Sequence, residues 1–425
     1  MPRFTRTSLV LSTLLLVALT VAVTQSAQAQ TFSVIHSFQG TDGDVPSAGL
    51  TMDRGGNFYG TTQDGGSYNN GPICQLYFQN GCGTVFKLSK YGSGWLLAPL
   101  FLFNGTDGGY PRTSVTIGPN GSIYGSTGLG GRCTSSPFGC GTIFNLTPGA
   151  TVPRSVISYW SESVLHDFSG NDDGGDYPSA LIFDSEGNIY GTTVYGGPSG
   201  AGIVFEFSPS GNGWSETVLY SFTGGHYDGE FPHGVIADRA FNHLFGTTSK
   251  GGEYNSGIVF ELTRSGSGWT ETTLHNFTDG SDGAWPHAPP IMDAAGNLYG
   301  TNSGAVASPG TVWEMSPSVG GWTFTVLYTF TGLSDRGPYG GLAMDATGNL
   351  YGMTYDDGLY GKGNVFRLSP SGGGWIYTDL YDFTGGNDGG APLGSVTLDA
   401  SGNIYGTTSG GGLYGVSGVI WEITP

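Results

Sequence analysis

One loop recurs seven times in this sequence, and each copy carries an aspartate shortly before a proline. The aspartates are Asp42, Asp107, Asp173, Asp228, Asp282, Asp335 and Asp388. Carboxylate oxygens are what hard cations take as ligands, so a ring of them beside a central channel could hold calcium. The other reading is a turn-capping Asp that satisfies local backbone N–H groups. A residue repeated in every copy ordinarily serves the fold, so turn capping is preferred, and no cofactor beyond that calcium is expected. The residue before the loop proline varies: Val45, Tyr110, Tyr177, Phe231, Trp285, Gly337 and Ala391. Four consecutive copies are aromatic. Rings beside polar groups on one face could stack sugars; the more ordinary role is to plug the gaps between neighbouring repeats. His233 and His287 each follow the loop proline in adjacent copies, with His226 near in sequence. With Asp228, Asp282 and Trp285 they form the most asymmetric corner of the set, and a catalytic or binding cluster needs such a departure from symmetry. Tyr110, Tyr177, Phe231, Trp285, His233, His287, Asp228 and Asp282 are therefore the candidate binding residues. His36, His166 and His275 share a strand slot with Tyr220, Tyr328 and Tyr381, which is the signature of packing.

The elements that must position these residues follow from a second repeated phrase, Asp184-Ser185-Glu186-Gly187-Asn188-Ile189-Tyr190-Gly191-Thr192-Thr193. It reads as a tight turn running into a short strand, and it recurs around Tyr59, Tyr124, Phe245, Tyr299, Tyr351 and Tyr405 with a period of 52 to 66 residues. In the turn, Asp caps the backbone and Gly takes positive φ. Where Phe241 replaces that Gly, Asn242 is expected to take the left-handed position. The clearest copy has strands over 214–222, 234–238, 243–248 and 258–263, and no stretch shows a helical period. Four short strands per repeat predict propeller blades. The segment containing Pro-x-Gly-Leu-Ile-x-Asp is small and apolar and suits the innermost strand; the segment opened by Trp suits the outermost. On that phase, Phe32–Phe38 is an outer strand without a blade, and 394–425 supplies three inner strands without an outer one. Their pairing predicts an all-β, seven-bladed β-propeller of four antiparallel strands per blade, spanning residues 30–425 and closed three-plus-one. Closure removes an open edge that would otherwise template aggregation.

The chain has 425 residues, 78 of them Gly, with 13% aromatics and a formal net charge of −19. The glycine is too high for most globular chains, but the aromatic content supplies the buried area a core needs. An acidic surface repels phosphate backbones, which argues against nucleic acid as a partner. Arg3 and Arg6, the apolar run Leu9–Val23 and Ala27-Gln28-Ala29 read as a signal peptide over 1–29, cut after Ala29, leaving no membrane span. In an exported chain, four cysteines suggest disulfides. Each pair precedes the same phrase, Gly83-Thr84-Val85-Phe86 or Gly141-Thr142-Ile143-Phe144, so local bridges Cys74–Cys82 and Cys133–Cys140 are expected. The spacing does not suit zinc, and no His sits near. The sequence contains no Gly-x-Ser-x-Gly elbow, no His-Glu-x-x-His and no phosphate loop.

Gly-Asn-Ile/Leu-Tyr-Gly-Thr-Thr, then Gly-Gly, then Gly-Thr/Ile-Val-Phe, then Phe-x-Gly-x-Asp-Gly-x-x-Pro resembles the secreted bacterial tandem-repeat proteins called choice-of-anchor GloVer-repeat proteins. The resemblance covers about Phe32 to Pro425. It implies an exported, surface-associated β-repeat protein and carries over no catalytic residue. Such proteins carry varied C-terminal anchors; none is recognisable here, so release is expected over attachment. The Asp-x-x-Gly-Asn-x-Tyr turn also looks like that of NHL and streptogramin-lyase propellers, over one hairpin per blade. The leading expectation is a monomeric, non-catalytic binding or scaffold module, secreted, periplasmic or at the cell surface. Its ligand would be a polysaccharide, met on the face carrying the Asp-Gly-x-x-Pro loops, or a surface protein. The alternatives are a propeller enzyme, a polysaccharide or lactone lyase or hydrolase at the His226/His233/His287 corner, and a purely structural surface component.

Overall fold

The computed structural model describes residues 30–66, 74, 81–133, 138–149, 160–170, 175–211, 213–266, 268–305, 308–331, 337–415 and 417–425. Residues 1–29, residues 150–159 of the longest insertion, and Asp173 and Asp335 lie outside the described residues. Seven antiparallel sheets follow one another around a ring, each meandering from an inner to an outer strand. Blade 1 comprises Thr51–Met52, Phe58–Thr62, Thr84–Tyr91 and Gly94–Leu102; blade 2 comprises Thr116–Ile117, Ile123–Thr127, Thr142–Pro148 and Trp160–Asp167. Blade 3 runs from Gly175 to Ser221, blade 4 from Gly229 to Asn276, blade 5 from Ile291 to Thr329 and blade 6 from Ala343 to Asp382. In blade 7, Thr397–Leu398, Ile404–Thr408 and Val419–Thr424 are completed by Thr31–Ser37, with Thr31 opposite Thr424 and Ser37 opposite Val419. The three-plus-one closure is thus present.

The inner strands are shorter than the sequence pattern predicts. In five blades only two residues of each pair into the sheet. Just before that pair the chain runs against the same segment of the adjacent blade. A Cβ on Gly394 would fall 2.5 Å from the backbone of Ala48 and Gly49, and one on Gly49 2.8 Å from the Ser395 carbonyl. These segments pack against the next blade instead of against their own.

Two cross-strand contacts explain most of the repeated phrase. The Gly of Tyr-Gly-Thr sits opposite the aromatic of Thr-Val-Phe, as with Gly60 and Phe86, Gly191 and Phe205, and Gly300 and Trp313. The ring lies flat over the place a side chain would occupy: a Cβ on Gly60 would be 2.5 Å from Phe86 Cζ. In five blades the turn Asp, namely Asp53, Asp184, Asp293, Asp345 or Asp399, accepts from backbone N–H groups with one oxygen and from Asn and Tyr side chains with the other. Asp184 takes Glu186 and Asn188 N–H on Oδ1, and Asn188 Nδ2 and Tyr190 OH on Oδ2. The phrase is therefore one hydrogen-bonded unit. In blade 4 the expectation for Asn242 is overturned. Phe241 itself takes the left-handed conformation, φ 53°, and its ring packs 5.3 Å from Tyr190. That burial offsets the strain of a bulky residue at positive φ.

Seven apolar clusters form the core, one at each blade interface. One joins Phe38, Tyr405 and Ile420 of blade 7 to Leu50, Phe58 and Phe86 of blade 1. The interfaces also share a joint. The glycine that opens Gly-Thr-Val-Phe abuts the loop proline of the following blade; a Cβ on Gly202 would stand 2.5 Å from Pro232 Cδ and 2.5 Å from Thr193 O. The same glycine's carbonyl accepts the N–H of the last aromatic of its own outer strand, Phe222 on Gly202 at 3.0 Å. Both disulfides form in the predicted pairing, Cys74 with Cys82 and Cys133 with Cys140, and tie the chain just before this joint in blades 1 and 2. Among the described residues no helix is long and apolar enough to cross a membrane.

Because Gly202 is at φ 97° as well as enclosed, Gly202→Ala is expected to cost about 2–4 kcal/mol. Gly213→Ala, with no atom within 4 Å of the new Cβ, serves as the control. Thermal denaturation of the two variants should show a drop of several degrees for the first and little change for the second.

Candidate functional site

The loop that carries each Asp-Gly-x-x-Pro phrase adopts a conformation its composition does not announce. Val45, Tyr110, Tyr177, Phe231, Trp285 and Ala391, the residues before the proline, all have φ between 54° and 66°. Non-glycine residues seldom sit there, and the arrangement persists only where the surroundings over-determine it. Here the N–H of each is bonded to the preceding blade: Tyr110 to Cys82 O, Tyr177 to Cys140 O, Phe231 to Ala201 O and Trp285 to Ser256 O. Several carbonyls are bonded too, Tyr110 O accepting from Gly128 N and Trp285 O from Ser303 N.

This left-handed step directs the residue after the proline to the central channel. Ser47, Arg112, Ser179, His233, His287, Tyr339 and Leu393 occupy that slot in the seven blades, and all seven line one cavity of about 510 Å³. Blades 6, 7 and 1 otherwise contribute small residues to its wall, among them Gly341, Ser395 and Gly49. Blades 2 to 5, with Tyr339 of blade 6, contribute the large polar and aromatic groups, so the cavity is lopsided.

Of the eight candidate residues, Tyr177, Phe231, His233 and His287 line this cavity. Tyr110 lies behind Tyr177, ring centroids 6.4 Å apart. Trp285 is covered by the Lys250 ammonium at 4.4 Å. Asp228 and Asp282 are elsewhere, in the turns that leave the outer strands. Asp228 accepts from Thr223 N, Thr223 Oγ1, Tyr220 OH and Gly229 N. Asp282 accepts from Thr278 N and Thr278 Oγ1 and faces His275 Nε2 at 3.1 Å. Asp42, Asp107 and Asp388 are held in the corresponding turns. The described members of the ring therefore sit at the ends of the outer strands, engaged in turn capping, and none lines the channel. Among the described residues no three His, Cys, Asp or Glu side chains come close enough to share a metal ion. His226 is exposed in the short 3₁₀ turn Gly225–Tyr227 and does not reach the cavity.

Arg112, Tyr195, Ser249 and Tyr339 complete the wall. Arg112 is reached by solvent yet ringed by aromatics: its guanidinium carbon lies 5.7 Å from the Tyr110 ring and 5.7 Å from the Tyr177 ring. Its Nη1 donates to Tyr177 OH at 3.3 Å. Among the described residues no carboxylate pairs with it. Burial works against its charge, but the Tyr177, Tyr110 and Tyr195 oxygens more than offset that, so it remains cationic. Tyr195, 44% exposed, bridges Tyr177 and Phe231 with centroids at 6.3 and 4.9 Å. Opposite them His287 stacks on Tyr339 at 4.9 Å and meets His233 edge-on at 5.1 Å. His233 Nε2 is 3.1 Å from Ser249 Oγ; among the described residues neither ring nitrogen of His287 is engaged. Burial, then His287 and Arg112, push the His233 pKa well below the usual imidazole value. Burial, then Arg112 and Lys250, bring that of His287 down to about 4. Both rings are neutral at pH 7. The post-proline slot was visible in the sequence as a column, and Arg112 and Tyr339 stand in it; no comparable signal pointed to Tyr195 or Ser249.

A group whose folded pKa is depressed takes its proton late. NMR titration of the His287 ring should give a midpoint near pH 4, and Arg112→Ala, by removing a neighbouring cation, should move it upward.

The family model described as the Gloeobacter/Verrucomicrobia repeat matches residues 133–324 and 301–425. No curated protein matches by sequence. Among solved structures, the fold is similar to that of a polysaccharide lyase described as an ulvan lyase. The identity is 11%, coverage is 90% of this chain and 94% of that one, and the TM-score is 0.54. A second structure of that lyase, bound to -[GlcA(1-4)Rha3S]-, is 12% identical over 80% of this chain and 86% of that one, with a TM-score of 0.50. TolB from Acinetobacter baumannii is 12% identical with a TM-score of 0.39; the match covers 70% of this chain and spans 59% of TolB. At such identities the likeness is one of fold. The repeat phrase and the family match together place the chain: it belongs to the Gloeobacter/Verrucomicrobia repeat family.

Proposed function

We propose that the protein is an exported binder of acidic polysaccharide, and that its central cavity takes a carboxylate-bearing sugar on Arg112. The carrying observation is the Arg112 guanidinium, left without a carboxylate partner among the described residues, inside a cavity to whose wall no described Asp or Glu contributes. The whole chain has 33 acidic residues and 14 basic ones, so a cationic cavity runs against its composition. A guanidinium matches a carboxylate in two parallel hydrogen bonds. Tyr177, Tyr195 and Phe231 offer ring faces and hydroxyls beside it, as a pyranose with one apolar face requires. The cavity volume lies within the usual range for small-ligand sites. The polysaccharide lyases of similar fold, one with an acidic saccharide bound, support the same ligand class. The apolar run and small-residue site in the first 29 residues, together with two disulfides, support export to an oxidising compartment.

Retention on a polygalacturonate matrix tests this. The protein should be held and then released by salt. Arg112→Ala should weaken retention about ten- to a hundred-fold, the loss of a hydrogen-bonded ion pair. Tyr195→Ala should weaken it less, and Trp285→Leu, behind the wall, should leave it nearly unchanged. Equal retention of the Arg112 variant would remove the proposal.

A further inference from the structure

The cavity holds more than a binder of acidic sugars needs. Recognition is served by Arg112 and the rings around it. His287 adds an imidazole with no hydrogen-bond partner among the described residues, stacked on Tyr339 and facing the same cavity. Tyr177 adds a phenol whose oxygen accepts from Arg112 Nη1, which leaves its own proton free to donate. An unengaged base, a fixed cation and a hydroxyl acid are what removal of a proton next to a carboxylate requires. Hydrolysis of a glycoside commonly uses two carboxyl groups flanking the bond, and among the described residues none lines this cavity.

We infer that the cavity cleaves 4-linked polyuronates by β-elimination, with His287 as the base, Arg112 as the partner of the uronate carboxylate and Tyr177 as the acid. This inference rests on the binding reading above and assigns the same site a reaction. His287 takes the proton from C5 of the bound uronate. Arg112 stabilises the negative charge that develops on the carboxylate. The electron pair of the C5–H bond becomes the C4=C5 double bond, and the C4–O4 bond breaks. The departing oxygen takes the Tyr177 proton. The proton held by His287 then returns to the Tyr177 oxygen through solvent. Substrate and products balance in atoms and electrons, so no metal, oxidant or co-reactant is required. The groups around His287 suit the task. Burial, then Arg112 and Lys250, keep it unprotonated, His233 is neutral beside it, and Tyr339 stacks on its plane. Arg112 also acts to lower the Tyr177 pKa, although burial acts first and raises it, so the phenol keeps its proton at neutral pH.

The full chain, freed of any leader, is incubated with polygalacturonate and with polyglucuronate. Ultraviolet absorbance of the conjugated C4=C5 uronate, new reducing ends and retention are followed together. Absorbance and reducing ends should rise in equal number on at least one polymer. His287→Gln should slow both about a hundred-fold or more, the usual share of a general base, while the melting temperature stays as in the parent. Retention without absorbance overturns the elimination and leaves the binding reading standing. Reducing ends without absorbance mean hydrolysis and overturn it as well. Failure to retain either polymer removes both readings. An undiminished rate in the His287 variant overturns the choice of base. Should that variant unfold, the parent's pH profile decides. A base faced by Arg112, Lys250, His233 and Tyr339 should stay active from about pH 7 to pH 5 and fail near pH 4; a fall centred on the ordinary imidazole value overturns the assignment.

Discussion

The ring depends on the contact between a glycine of one blade and a proline of the next. Six of the seven joints have this form, with Gly83 against Pro111, Gly141 against Pro178, Gly202 against Pro232, Gly257 against Pro286, Gly363 against Pro392 and Gly418 against Pro46. At the seventh, Gly310 meets Gly337 backbone to backbone. No side chain fits on the glycine, and the proline presents a flat apolar ring with no donor to satisfy. The residue before the proline bonds backward across the interface, and the threonine of Tyr-Gly-Thr bonds forward across it, Thr192 to Pro232 O and Thr247 to Ala288 O. Apolar clusters supply the burial at each interface, but they are tolerant of detail. The joint sets the angle between blades, and therefore the number that close the ring.

The same joint makes the cavity. With the pre-proline residue locked at positive φ, the next side chain that can reach the axis is the one after the proline. Seven such positions are delivered to one space by a frame that is nearly symmetric. Their identities break the symmetry. Arg112, His233, His287 and Tyr339 sit on one arc, with small residues on the other. The scaffold's work and the cavity's chemistry are separated by a single peptide unit, so the second can vary without disturbing the first.

The blade count, strand order and closure were legible because they rest on repetition and on the phase of the two chain ends. Phe32–Phe38 lacks a blade, and the last three strands lack a fourth. The cysteine pairing was legible because both pairs occupy the same place in the repeat. The site was legible in part. A bulky residue before proline is expected to be extended, and nothing in Asp-Tyr-Pro marks Tyr177 as left-handed. That one dihedral brings the residue after the proline to the channel, where it joins Tyr177 and Phe231 in the wall. The aspartates read first as turn caps, and the described ones accept turn N–H groups. Recurrence shows that a residue matters to every blade, not how far it lies from the axis, and Asp228 and Asp282 prove to close turns on the outer strands. Phe241 shows the limit from the other side: local propensity favoured Asn242 for positive φ, and packing on Tyr190 prevailed.

The pairing of Thr31 with Thr424 has a consequence in time. Blades 1 to 6 are built from contiguous chain and can form as soon as their residues are available. The first strand has no partner until the last strand exists, so the two ends must find each other across nearly the whole length of the chain. Loop closure of that span is an entropic cost met late. The last interface to form is then the one between the oldest and the newest residues, and until it forms the ring is an open arc with two bare edges. A chain emerging in one direction would keep its ring open until the Val419–Thr424 strand had emerged.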